Sequence, residues 1–234
     1  MTAIRRVGIG TRNSHVRESR VMTFLLPIRS WLSCVVVSCV LAAIPVSAAD
    51  LAPDALIRQV TDEVLEIARN DKALQNGDTS RAIALIEVKV LPNFNFKRMT
   101  QLAVGKSWRQ ATPEQQTALA EEFRKLLVRT YSKALTQYRD QTVAIKPSAL
   151  APAQTDARVK TEVQQPGAKA INIDYYLERA EGGWRVYDIE VGGVSLVTNY
   201  RDSFATEIRN TGIPGLIESL KEKNRQGTGS AAKP

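Results

Sequence analysis

The chain has 234 residues, 44% of them hydrophobic, with 32 basic and 24 acidic side chains giving a net charge of +8. Its single histidine, His15, and its two cysteines, Cys34 and Cys39, all precede residue 50. If residues 1–49 are a removable leader, the remaining ~185 residues hold no thiol, imidazole or disulfide, which excludes cysteine and histidine catalysis and the usual zinc sites.

The N-terminus supports that condition. Arg29 precedes an apolar run from Trp31 to Ile44, and Val46-Ser47-Ala48-Ala49 forms a small-residue cleavage site, the pattern of a secretory signal peptide. Residues 1–49 are therefore expected to be removed, with Met22 as an alternative start and a mature chain beginning near Asp50. Val36-Val37-Ser38-Cys39 offers a rival lipobox with an acylated Cys39, but the residues after it stay apolar through Ile44. The leader holds six arginines and one glutamate, so its loss lowers the net charge from +8 to +3 and gives no support for nucleic-acid binding. The rest is long enough for one domain over residues 50–225, and 226–234 is expected to be a disordered tail.

Pro53 and Asp54 open a helix with Leu56, Val60, Val64, Ile67 and Ala68 on one face. A second helix is predicted from Asp78 to Val88, carrying Ile83 and Ile86 and stopping before Pro92. Asn95 caps a short helix containing Met99 and Leu102, with Gly105 as its stop. Thr112-Pro113-Glu114-Gln115 has the form of a capping box and starts a long helix to about Tyr138. Leu119, Phe123, Leu126, Leu127, Thr130, Tyr131, Ala134 and Tyr138 share one face of it.

From Gln141 the hydrophobic period changes from 3.6 to 2. Val143 and Ile145, then Val159, Thr161 and Val163, then Ile171, Ile173, Tyr175 and Leu177 alternate with polar or smaller residues. Pro166-Gly167 and Glu181-Gly182-Gly183 are turns between these runs, so consecutive strands pair antiparallel. Trp184 to Val191 is apolar on both faces and its phase is ambiguous. A helix capped by Ser195 follows, with Leu196, Val197, Tyr200, Phe204 and Ile208 on one side and Gly212 as its end; Pro214 begins a last helix with Leu216, Ile217 and Leu220. The class is α+β, a curved antiparallel sheet of about four strands clasped by several helices.

Two blocks carry a family resemblance. Residues 90–131, VLPNFNFKRMTQLAVGKSWRQATPEQQTALAEEFRKLLVRTY, and the later pair Trp184-Arg185-Val186-Tyr187-Asp188 and Val194 to Phe204 resemble the MlaC, or toluene-tolerance, family of periplasmic phospholipid-binding proteins. The resemblance implies a monomeric, non-catalytic carrier that moves phospholipid between outer and inner membranes and maintains outer-membrane lipid asymmetry. It further implies an internal apolar cavity, no cofactor beyond the phospholipid cargo, and two partners: an outer-membrane lipoprotein–porin complex and an inner-membrane ABC transporter with a lipid-binding subunit. The bulky residues of the apolar faces become its candidate lining: Met99, Trp108, Phe123, Leu127, Tyr131, Val143, Val159, Val163, Ile171, Ile173, Tyr175, Trp184, Tyr187, Ile189, Val194, Val197, Tyr200 and Phe204. The same stripes serve a filled core equally well.

Other readings compete. Ketosteroid-isomerase-like enzymes share a cone-shaped α+β fold, and Asp188 as base with Tyr187 or Tyr200 as oxyanion donor is the best catalytic alternative. Asp174 and Glu178 alternate with the apolar face of their strand and are expected to point to solvent. Gly193-Val194-Ser195-Leu196-Val197 is one glycine short of a nucleophile elbow and has no histidine to activate the serine. Lys97, Arg98, Lys106 and Arg109 cluster near the short helix; they read as a solvated basic face, with an anionic headgroup or acidic partner as the alternative. A non-catalytic interaction protein is the remaining possibility.

Overall fold

Thr112 Oγ1 accepts a hydrogen bond from the Gln115 backbone N–H at 3.3 Å, and the Gln115 side chain accepts one from the Thr112 N–H at 3.0 Å, so the capping box closes and starts α5 (Pro113–Thr136). Asn95 likewise caps α4 (Phe96–Val104) by accepting from the Arg98 N–H, and Gly105 ends it at φ 65°. The computed structural model describes residues 51–148, 151 and 153–226. The expectations for the leader, for Cys39, for a start at Asp50 and for the tail after Gln226 fall outside them.

Before α4 lie α1 (Pro53–Asn70), α2 (Lys72–Gln75) and α3 (Thr79–Leu85). The short α2 was not expected; Asp71 caps it by accepting from the N–H groups of Ala73 and Leu74. The predicted helix to Val88 keeps its α geometry only to Leu85, then widens into a π turn, Ile86–Val90, and a 3₁₀ turn, Leu91–Asn93. Leu91 N–H bonds to Ile86 O, five residues back, and Pro92 has no N–H with which to restore the α ladder.

The strands β1 (Thr142–Ile145), β2 (Asp156–Gln164), β3 (Ile171–Ala180), β4 (Gly183–Val191) and β5 (Val194–Ser195) form one antiparallel meander in chain order. There are five strands because the Gly192–Gly193 turn, with φ of 58° and 90°, folds Val194–Ser195 back onto β4. Ser195 is therefore in a strand and not at the start of a long helix. Its hydroxyl still caps, accepting from the N–H groups of Val197 and Thr198 ahead of the 3₁₀ turn Thr198–Tyr200. The long helix α6 (Arg201–Arg225) follows, broken at Gly212 (φ 73°, ψ 179°) where the sequence predicted one helix to end and another to begin.

Tyr176 sits opposite Asp188 while Leu177 sits opposite Val186, so Tyr187 is an extra residue in β4. This bulge resolves the phase of Trp184 to Val191: the strand changes face in its middle. One face of the sheet packs Ala157, Val159, Leu177, Trp184 and Val186 against Ile57 of α1. A second core joins α4, α5 and α6 through Trp108, Leu119, Phe123, Phe204 and Leu216. On the opposite sheet face Asp174 and Glu178 do not simply meet solvent. Asp174 pairs with Arg158 and Glu178 with Arg98, and their side chains are only 13% and 17% exposed. Asparagine 95 also donates to Glu178, at 2.6 Å. The cations of neighbouring elements cover these carboxylates, which alternation along one strand could not reveal.

Candidate functional site

The π turn and the residues after it pass between α1, α5 and the sheet without filling the space. Two apolar compartments result. One, about 150 Å³, is walled by Ile86, Leu91, Phe96, Met99, Leu127, Val128, Tyr131 and Leu196. The other, about 250 Å³, is walled by Leu56, Ile57, Val60, Val64 and Leu65 of α1, by Val143 and Val163, and by Tyr175 and Val186. Val90, Phe94 and Ile189 line both and form the partition. Phe94 is fixed there by a bridge to Val186 and by the Asn95 N–H donating to Val186 O at 2.8 Å; its ring stacks on Phe96 at 5.8 Å.

The bulge in β4 makes this wall. Val186 and Ile189 are three residues apart, an odd spacing that puts side chains on opposite faces of a regular strand, yet both face the compartments. Tyr175 shows the character of the space. The side chain keeps some accessible surface, but burial pushes its phenol up to about 12, as expected for a group deep in an apolar recess. At the other end Tyr131 is 37% exposed, and burial with Tyr200 beside it raises its phenol to about 12.

Of the residues singled out from the sequence, Met99, Leu127, Tyr131, Val143, Val163, Tyr175 and Ile189 line the compartments. The others are elsewhere. Trp108, Phe123, Val197 and Phe204 are packed in the helical core, with Tyr200 against the rings of Phe123 and Phe204 at 5.2 and 5.5 Å. Val159 and Trp184 are buried between the sheet and α1. Tyr187, displaced by the bulge, lies beneath the Arg98 guanidinium at 3.7 Å. Ile173 is on the compartment side of β3 but borders neither space, while Ile171 and Val194, at the start of β3 and just after the Gly192–Gly193 turn, are 49% and 54% exposed. The sequence missed Val90, Leu91 and Phe94, because a segment leaving a π turn has no period to read; it placed Ile86 on a predicted helix without assigning it to the site, and gave no role to Phe96 at the start of α4. It had placed Leu56, Val60 and Val64 on one helical face without assigning them to the site.

Asp188, Tyr187 and Tyr200 line neither compartment. The Asp188 carboxylate, 8% exposed, accepts from Ser195 Oγ at 2.6 Å and from the Ile189 N–H at 2.8 Å, which ties β4 to β5. Burial raises its acid above the ordinary carboxylate value against the lowering effect of those bonds. Ser195 donates to a carboxylate and caps a turn, so it presents no free nucleophile. Among the described residues no group of acidic, histidine or cysteine side chains could hold a metal ion.

Similarity to known proteins bears on what such compartments hold. The family model described as "MlaC protein" matches residues 58–222. The chain belongs to the MlaC family. A MlaC relative in Haemophilus influenzae, an intermembrane phospholipid transport system binding protein, is 21% identical over 86% of this chain and 96% of its own. The toluene tolerance protein ttg2D of Pseudomonas putida is 32% identical over 104 residues, 44% of this chain, and the match spans only 48% of that protein. Among solved structures, a phospholipid-binding protein from Ralstonia solanacearum in complex with a phospholipid is 38% identical, superposes with a TM-score of 0.70, and is covered over 99% of its length by 76% of this chain. The MlaC-family fold is thus shared with a protein that has been seen holding phospholipid.

Proposed function

We propose that this protein is a phospholipid carrier that holds acyl chains in the apolar compartments between α1, the π turn, α5 and the sheet. The smaller compartment, walled by aliphatic and aromatic side chains and Met99, is the observation that carries the reading. Two acyl chains hold about thirty methylenes, and at ~0.8 kcal/mol each their exposure to water costs over ~20 kcal/mol. Unassisted diffusion between membranes is therefore negligible, and an apolar enclosure comparable to a bilayer interior removes the barrier. Each compartment alone falls below the roughly 300–1,000 Å³ of common ligand pockets. Loading on this reading joins and widens them, and the partition of Val90, Phe94 and Ile189 is what must move.

The carrier works in the periplasm after removal of residues 1–49, taking lipid at one membrane and releasing it at the other. No helix among the described residues is long and apolar enough to cross a membrane. Its partners are an outer-membrane lipoprotein–porin complex and an inner-membrane ABC transporter, and direction is set by them. The chain is not an enzyme: the carboxylate best suited to be a base, Asp188, is held by Ser195 and backbone N–H groups outside the compartments. Mass spectrometry of an organic extract of the protein purified from its own cells tests this. Phospholipid near one molecule per chain is expected. A folded protein without lipid, or chemically altered lipid after incubation, overturns the reading.

A further inference from the structure

A separate concavity of about 760 Å³ lies between α4, the 3₁₀ turn Gly105–Gln110 and the start of α6, and it shares no lining residue with either apolar compartment. Its wall combines the apolar surfaces of Leu102 and Trp108 with four cations, Arg98, Lys106, Arg109 and Arg201, and no acidic side chain among the described residues lines it. Two of the cations are held in place. Arg98 bridges Glu178 and Asp156 over the face of Tyr187, and Arg201 donates from Nε and Nη2 to the Leu102 carbonyl at 3.1 and 3.0 Å. Arg98 is therefore neutralised by carboxylates, but among the described residues Arg201 meets only a carbonyl. Lys106 and Arg109 are exposed, with no ion pair or side-chain hydrogen bond among the described residues.

Three uncompensated cations around an apolar recess repel one another, and a complementary anion relieves that repulsion. A membrane surface is flat and reaches the rim only, whereas a protein segment can place an apolar side chain into the recess and carboxylates on its edge, the usual division between the core and rim of a contact. We propose that this groove is a docking site for an acidic segment of a partner protein, with carboxylates meeting Lys106, Arg109 and Arg201 and an apolar side chain settling on Leu102 and Trp108. Helix α4 links the two sites: it carries Leu102 into the groove and Phe96 and Met99 into the apolar compartment. A docked partner thus bears on an element that bounds the cargo space. The groove's partner deepens the carrier reading, but its test needs no cargo.

The experiment is co-sedimentation of the full mature protein with envelope vesicles from the cells that make it, with lipid content measured in parallel by extraction. The double variant Lys106→Glu/Arg109→Glu is compared with Lys160→Glu/Lys169→Glu, an equal charge change at exposed positions on and after β2. The groove variant is expected to bind about tenfold more weakly while the control binds like wild type, with the wild-type interaction weakened by salt and abolished by protease treatment of the vesicles. Unchanged binding in the groove variant, or equal loss in both variants, overturns the proposal. So does undiminished wild-type binding to protease-treated vesicles or to protein-free phosphatidylglycerol vesicles, which assigns the basic groove to lipid. Absence of lipid in the extract refutes the carrier reading alone, because the sedimentation result stands independently of it.

Discussion

Ile189→Glu places a carboxylate at the partition, where both compartments meet. In a fully packed site an unpaired carboxylate costs several kcal/mol, but Ile189 is only partly buried and borders empty space into which the new group can turn and keep water. A loss of about 1–3 kcal/mol of stability is therefore expected. The effect on cargo is larger. A hydrated carboxylate at the junction denies an apolar wall to roughly four to six methylenes, worth about 3–5 kcal/mol at ~0.8 kcal/mol each, or roughly 10²–10⁴-fold in lipid retention. Ile171→Glu is the control, on the neighbouring strand but 49% exposed, and should change stability by no more than about 0.5 kcal/mol and stay loaded. Circular dichroism and urea unfolding report the fold, and extraction with mass spectrometry reports occupancy. A folded Ile189→Glu that retains full lipid refutes the assignment of these compartments to the acyl chains, and loss of lipid from Ile171→Glu refutes the placement of the wall.

Three further outcomes follow from buried polar and backbone geometry. Ser195→Ala leaves Asp188 Oδ2 without its 2.6 Å donor in a buried site and should cost about 1–3 kcal/mol in urea unfolding. Because burial raises the Asp188 acid above its unfolded value of 3.8, the folded state holds its proton to higher pH. This group's contribution to stability is then greatest below 3.8 and declines as pH rises through the folded pKa; the difference between wild type and Asp188→Asn should show that slope, and the opposite slope would refute the assignment. Gly212→Ala forces a side chain onto φ 73° and ψ 179°, a region glycine alone occupies readily, and should lower stability by roughly 1–3 kcal/mol in thermal melts, whereas a neutral result would mean that the break in α6 relaxes freely.

What the sequence determined by itself is what depends on neighbours within a few residues. Thr112 with Gln115, Asn95 with the Arg98 N–H, and Gly105 and Gly212 at helix ends are contacts or conformations of one turn, and the chain states them directly. Alternation over Val159 to Val163 and Ile171 to Leu177 likewise fixed the strands and their antiparallel order through short turns. The two family blocks pointed to the fold for the same reason, as runs of local pattern in order. Only the tertiary structure decided which apolar faces meet and which stand apart. Val159 and Val163 are the same residue type on the same face of β2, yet one is buried against the sheet and α1 while the other borders a void that α1 walls without filling. The bulge at Tyr187, which brings Val186 and Ile189 to one face, and the π turn that carries Val90 and Phe94 between the layers, depend on hydrogen bonds between distant segments or on a ladder that slips by one residue. A periodic pattern records how much apolar surface an element must hide. Whether another side chain or an empty space covers that surface is set by the distance between elements, which no local period encodes.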